Sequence, residues 1–177
     1  YNPRMSHPPL PYRRLAVVGA GGAHRSEDAW ARAARSLGLE AEVFDVLRWT
    51  RRLGRLARTW LERSITSFEP DFILFTRHAW RLGRPTLRRI TAHTDSAVWF
   101  LDAAPHPGLI ELAQLSGTLY LTYAAQVEDY RARGVPTVRF LPQGVDPERD
   151  RPAVRIRQEY RCDVSFIGSG QYPYRWP

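Results

Sequence analysis

The fold is decided by Leu15-Ala16-Val17-Val18-Gly19-Ala20-Gly21-Gly22, in which four apolar residues run into a glycine-rich loop. A short apolar run bounded by glycine is typical of a buried strand. Ser26 is a good N-cap for the helix that follows, and Gly38 is expected to end that helix. A second strand is predicted over 40–47. Strand, glycine loop, helix and strand make a βαβ unit, whose two strands run parallel.

The same alternation of strands and helices continues along the chain. A basic helix is predicted over 49–68, with its arginines outside and an apolar stripe formed by Leu53, Leu56, Trp60, Leu61 and Ile65. Further helices are expected over 85–93 and 125–133, and further strands over 72–76, 97–101, 118–123 and 137–141. This order predicts an α/β fold with a doubly wound, Rossmann-like parallel sheet.

The stretch 140–147 marks the end of the first domain. Pro142 cannot donate a hydrogen bond to a neighbouring strand, so the sixth strand should stop there. A new apolar strand begins at Asp163 and runs into Gly168-Ser169-Gly170. We therefore expect an irregular leader over 1–14, a Rossmann-like domain over 15–147 and an interdomain crossing over 148–162. Residues 163–177 would be the first strand and glycine loop of a second α/β domain.

The composition is strongly basic, with a net charge of +8 and 26 basic residues, all of them arginine. This excess reflects either codon usage or an anionic partner, because guanidinium groups match phosphate well. The arginines are spread along helices more than clustered with aromatic residues, a pattern that argues against nucleic acid as the partner. There is one cysteine, no signal-peptide pattern and no apolar run long enough to span a membrane. We expect a soluble cytoplasmic protein.

Open α/β sheets bind ligands beyond the carboxyl ends of their strands. His78 and Asp102 follow the third and fourth strands, and either could be a general base. The alternatives are a surface-loop histidine and a cap of the next helix. His24, beside the glycine loop, and Gln143, after the sixth strand, are candidate ligand contacts. No His, Cys or carboxylate pair has metal-ligand spacing, so we expect no bound metal.

The glycine loop resembles a dinucleotide-binding fingerprint but departs from it. Gly19 and Gly21 match the first two glycines, whereas His24 stands at the third position. Asp45 lies where a dinucleotide enzyme could hold a ribose. A nicotinamide- or flavin-binding protein is therefore one alternative, and a tight turn that merely needs glycine is another. A third alternative is a non-enzymatic scaffold whose basic faces bind a partner protein or nucleic acid.

Four pieces of the chain together resemble the N-terminal half of GT-B glycosyltransferases, in particular the CgeB-like (spore-maturation) group. They are 70–74, 99–102, 122–134, and 141–146 followed by 163–169. In that family two Rossmann-like domains face each other across a cleft. The first mainly binds the acceptor, and the second binds the nucleotide-sugar donor. The resemblance implies transfer of a sugar to a hydroxyl-bearing acceptor, without a metal or another cofactor.

The resemblance also implies roles for particular residues. His78 or Asp102 would be the base of an inverting reaction, and Gly21 and Gly22 would approach the donor phosphate from the first domain. From the second domain the donor would be met by Gly168, Ser169 and Arg175. In this family the donor domain continues well past the point that corresponds to Pro177. We therefore expect most of that domain to be missing here and the chain to be inactive alone.

Overall fold

A computed structural model describes residues 10–102, 107–146 and 157–164. Within the first of its two units, which ends at Asp146, the described residues form a six-stranded sheet. The strands are β1 (Arg14–Gly19), β2 (Glu40–Asp45), β3 (Phe72–Phe75), β4 (Asp95–Phe100), β5 (Thr118–Leu121) and β6 (Val138–Phe140). Every neighbouring pair is parallel. The predicted Rossmann-like α/β class is confirmed.

The strand order β2-β1-β3-β4-β5-β6 fixes where a ligand would bind. The chain leaves β1 towards one edge of the sheet, and after β2 it crosses back to build the remaining strands towards the other edge. Connections in opposite directions leave a crevice between the carboxyl ends of β1 and β3. Val18 pairs with Phe75 beside this crevice, and Phe75 pairs with Val98.

The helices pack on both faces of the sheet, as right-handed crossovers in opposite directions require. They are α1 (Ser26–Ser36), α2 (Val46–Leu53), α3 (Ala57–Phe68), α4 (Arg84–Thr91), α5 (Pro107–Leu115) and α6 (Val127–Ala132). On one face α1 packs against Val17 and Ala41. Among the described helices, the other five contribute to the larger core on the opposite face, around Val18 and Phe75.

The single helix predicted over 49–68 is wrong. Two helices, α2 and α3, are separated by a 3₁₀ turn at Gly54–Leu56. Gly54 has φ 54° and ψ −124°, which ends α2 and which a residue with a side chain rarely adopts. Of the predicted stripe, Leu61 is buried, whereas Leu56 is 71% exposed and Trp60 is 37% exposed.

Several predicted boundaries also differ from the structure by one or two residues, and three of them change a contact or a cap. The β2 strand ends at Asp45, because the carboxylate of Asp45 accepts a hydrogen bond from the Arg48 amide and caps α2. Arg25, not Ser26, is the N-cap of α1, without a side-chain hydrogen bond. Arg14, predicted as leader, begins β1, and its amide donates to the Asp71 carboxylate at 2.9 Å.

The second unit is described only over 157–164. It contains a 3₁₀ turn at Gln158–Tyr160 and a bend at Asp163 and Val164, where the strand of the second domain was predicted to begin. The rest of that strand, Gly168, Ser169 and Arg175 lie outside the described residues, as do most of the predicted leader and crossing. None of the helices in the described ranges is long and apolar enough to cross a membrane.

Candidate active site

A cleft of about 210 Å³ opens at the carboxyl ends of β1, β3 and β4. The residues that line it come from the start of α1, from the segment after β3 and from the end of β4: His24, Arg25, Ser26, Glu27, Trp30, Thr76, Arg77, His78, Trp99, Phe100, Leu101 and Asp102. Its position is the one that the strand order predicts for a ligand site. Three of the predicted site residues, His24, His78 and Asp102, lie together in this cleft.

Arg77 links the two candidate bases. Its Nη1 donates a hydrogen bond to Oδ2 of Asp102 at 2.5 Å, and its Nε donates to Nε2 of His78 at 3.3 Å. Arg77 and His78 belong to a 3₁₀ helix, Arg77–Leu82, that begins directly after β3, whereas Asp102 follows β4. Because β3 and β4 are neighbours in the sheet, their carboxyl ends bring these side chains together. No role was predicted for Arg77 from the sequence.

Burial and a neighbouring positive charge favour the neutral form of the His78 imidazole. Burial is the main cause that lowers the pKa of His78 below its usual value, and the positive charge of Arg77 lowers it further. Glu27 opposes this shift with a smaller effect. A hydrogen bond from Arg77 to Nε2 also requires a lone pair on that nitrogen, so the ring proton lies on Nδ1. A neutral imidazole can accept a proton from a ligand hydroxyl.

A buried carboxylate, Glu27, joins the two strands that flank the cleft. Its exposed fraction is only 6%. Oε1 accepts hydrogen bonds from the Ala20 amide at 3.0 Å and from the Thr76 hydroxyl at 2.7 Å. A Cβ on Gly19 would lie 2.0 Å from the Thr76 hydroxyl and 2.7 Å from Oε1 of Glu27. Glycine is required at position 19 because the loop and these side chains approach so closely.

Glu27 had no predicted role, although one sequence signal could have revealed it. An acidic residue in the first turn of a helix is ordinarily explained by the helix dipole. However, Glu27 precedes Ala31 by four residues and Ala34 by seven, which is the spacing of a buried helical face. All three residues are buried in the structure. A glutamate on the buried face of a helix needs partners, and the glycine loop and Thr76 provide them.

The amides of the glycine loop are engaged by carboxylates of α1. Gly22 donates to Oδ2 of Asp28 at 2.6 Å, in addition to the bond from Ala20 to Glu27. Gly21 faces Asp45, since a Cβ at Gly21 would lie 3.1 Å from the Cβ of Asp45. These contacts favour the interpretation of the glycine loop as a tight turn over its interpretation as a dinucleotide-binding loop. Gly21 and Gly22 do not line the cleft, and their role at a donor phosphate stays a prediction.

Two tryptophans form one wall of the cleft. The rings of Trp30 and Trp99 are stacked, with centroids 4.4 Å apart and an interplanar angle of 14°. The indole nitrogen of Trp99 is buried and has no hydrogen-bond partner among the described residues. Binding pockets commonly combine such flat apolar surfaces with a few polar groups that orient the ligand.

The segment after β6 contacts α1 through an ion pair. Oδ2 of Asp146 pairs with Nη2 of Arg32 at 2.5 Å, and both side chains are partly buried. This contact connects residues separated by 114 positions in the sequence. Gln143, predicted as a ligand contact, lies exposed in this segment and is not part of the cleft lining.

Within the described ranges, no group of three or more His, Cys, Asp or Glu side chains is arranged to hold a metal ion. Comparison with family models and with curated proteins found no match to the chain. The functional interpretation therefore depends on the fold, the cleft and the sequence motifs.

Proposed function

We propose that this chain carries the acceptor-side domain of a GT-B glycosyltransferase of the CgeB-like group. The reaction would transfer a sugar from a nucleotide-sugar donor to a hydroxyl-bearing acceptor. The main support is that His78, Asp102 and their common partner Arg77 lie in one cleft. This cleft is at the carboxyl ends of the strands, where the connections of the sheet change direction. Two potential proton acceptors beside a flat aromatic wall suit a ligand that has both hydroxyl groups and apolar ring faces.

An inverting sugar transfer requires a base near the acceptor hydroxyl. In an inverting reaction, that hydroxyl loses its proton as its oxygen attacks the anomeric carbon, and the bond to the nucleoside diphosphate breaks with its electron pair. Neutral His78 can take the proton at Nε2 when the hydroxyl replaces Arg77 as its partner. Asp102 is the other candidate, and its bond to Arg77 leaves one carboxylate oxygen for the acceptor.

Arg77 would position both groups. Its guanidinium fixes the orientation of the Asp102 carboxylate, and its charge favours the neutral form of His78. A carboxylate that is already held in one orientation, as Asp102 is, needs little reorganisation when the acceptor binds.

The donor is assigned to the second domain. Gly168, Ser169 and Arg175 would contact the donor diphosphate through backbone amides and a guanidinium, in place of a metal ion. The proposal includes a cytoplasmic location, supported by the use of only one cysteine in the sequence.

The test is turnover of nucleotide sugars by the natural-length protein that contains this sequence. Release of nucleoside diphosphate is measured with a panel of donors, with and without simple hydroxyl acceptors. We expect release with at least one donor and acceleration by an acceptor. The same preparation is titrated with NADH, followed by fluorescence, to test the dinucleotide alternative. Tight NADH binding without donor turnover would overturn the proposal.

A further inference from the structure

We propose that the surface around the junction of α2 and α3 docks on an anionic lipid membrane. This arginine–tryptophan face is formed by Trp49, Arg51, Arg52, Arg55, Leu56 and Trp60. None of these residues lines the cleft, so the proposal does not depend on the proposed sugar transfer.

The face carries positive charge that described residues do not neutralise. Between Val46 and Leu61 the sequence has five arginines and no acidic residue. Arg51, Arg52 and Arg55 are exposed, and none of the ion pairs within the described ranges includes them. Such a patch attracts an anionic lipid surface.

The acidic residues at either end of this stretch are already engaged. Asp45 caps α2 through the Arg48 amide, and Glu62 forms a two-pronged pair with Arg89 at 2.5 and 2.7 Å. These two carboxylates are therefore engaged elsewhere, which leaves the positive charge between them open to an external anion.

Two apolar side chains are exposed at the same junction of α2 and α3. Leu56 is 71% exposed and Trp60 is 37% exposed. Both residues have helical backbone angles and are four positions apart, so they lie on one side of α3. An exposed leucine and tryptophan among arginines is the composition of a helix that lies at a membrane interface, with its apolar groups inserted below the headgroups.

The aromatic arrangement favours lipid over single-stranded nucleic acid. The ring centroids of Trp49 and Trp60 are 3.8 Å apart. The guanidinium groups of Arg48 and Arg52 also lie over the Trp49 ring, at 5.7 and 5.6 Å. Bases stack on open aromatic faces, and the Trp49 ring is already in contact with three neighbours. Leu56, the most exposed apolar group of the face, offers no stacking surface but suits insertion into acyl chains.

The test is co-sedimentation of the full chain with vesicles of phosphatidylcholine that contain phosphatidylglycerol, compared with vesicles of phosphatidylcholine alone. We expect binding only to the anionic vesicles. Leu56→Ser should weaken this binding roughly tenfold or more, because the leucine loses its apolar burial. The double variant Arg51→Gln/Arg55→Gln should weaken it roughly 25-fold, since each arginine near an anionic surface contributes about fivefold. All three side chains are exposed, and circular dichroism verifies that the variants fold.

Two matched controls distinguish an effect of this face from a general effect of losing an exposed leucine or two positive charges. Leu37→Ser removes a leucine that is 46% exposed at the end of α1, on the opposite face of the sheet. Arg133→Gln/Arg139→Gln removes the same charge near the β6 edge. Both should bind anionic vesicles as the wild type does. Binding to oligothymidylate is measured in parallel. The proposal is overturned if the control variants lose as much vesicle binding as the face variants, or if vesicle binding is absent or independent of lipid charge. It is also overturned if the chain binds oligothymidylate and not the vesicles.

Discussion

Arg77 donates a hydrogen bond to Asp102 at 2.5 Å across the carboxyl ends of β3 and β4. The same guanidinium donates to Nε2 of His78. One cation therefore holds both candidate bases in a single cleft. The link depends on the pairing of β3 with β4, so it is a property of the fold rather than of a local motif.

Arg77→Gln should raise the pKa of His78. The variant removes the second-largest cause of the lowered value, whereas burial, the largest cause, remains. We expect the His78 imidazole to titrate at higher pH in the variant, measured by NMR of the ring protons. Arg84→Gln removes an arginine that pairs with Glu111 and does not contact His78, and serves as control. An unchanged His78 titration in Arg77→Gln would show that the contact has no electrostatic effect.

The stability of the fold should depend on pH through His78. In the unfolded chain the pKa is close to the ordinary value of 6.5, and in the folded chain it is lower. The stabilisation is therefore fully present above pH 6.5 and is lost as the pH falls through the folded pKa. His78→Asn should make the free energy of unfolding, from urea titrations, less dependent on pH in that range. Identical pH dependence in the two proteins would contradict this assignment.

Thr76→Val should destabilise the chain by about 1–3 kcal/mol, because the buried Glu27 carboxylate loses a hydrogen-bond donor. The lost bond is the 2.7 Å contact to Oε1, which joins α1 to the end of β3. Thr91→Val is the matched control, since its hydroxyl donates only to a neutral carbonyl, that of Leu87. Urea unfolding of both variants measures the difference. A loss no larger for Thr76→Val than for Thr91→Val would show that this contact is unimportant.

Tyr130→Phe should stabilise the protein by about 1 kcal/mol, because an unsatisfied buried hydroxyl is removed while the ring stays. The Tyr130 side chain is buried, and its hydroxyl has no partner in the part of the chain that the structure describes. Burial raises the pKa of Tyr130 to about 12. Tyr123→Phe, at an exposed tyrosine, should leave the unfolding free energy unchanged. Destabilisation by Tyr130→Phe would mean that the hydroxyl has a partner.

The sheet could be predicted because its signals are local. Apolar runs separated by glycine and proline mark strands that are buried on both faces, and the alternation with helices determines their parallel direction. His78 and Asp102 could be predicted as neighbours for the same reason, because carboxyl ends of parallel strands share one edge.

The parts that could not be predicted depend on tertiary contacts. The apolar period over 49–68 is continuous in sequence, yet Gly54 ends α2 and the turn leaves Leu56 exposed. The rings of Trp49 and Trp60 come into contact only because two short helices pack together. In the sequence Glu27 resembles a surface acid, because the fold alone brings Thr76 and the glycine loop into hydrogen-bond contact with it.

The most direct measurement is the rate of nucleoside diphosphate release by the natural-length protein, with donor and acceptor saturating. It is made for the wild type, Asp102→Asn and His78→Ala. Asp129→Asn and His93→Ala are matched controls outside the cleft. We predict that at least one cleft variant lowers the rate tenfold or more, as loss of a general base does, and that the controls keep the wild-type rate. Unchanged rates in both cleft variants would contradict the assignment of this cleft as the site of sugar transfer.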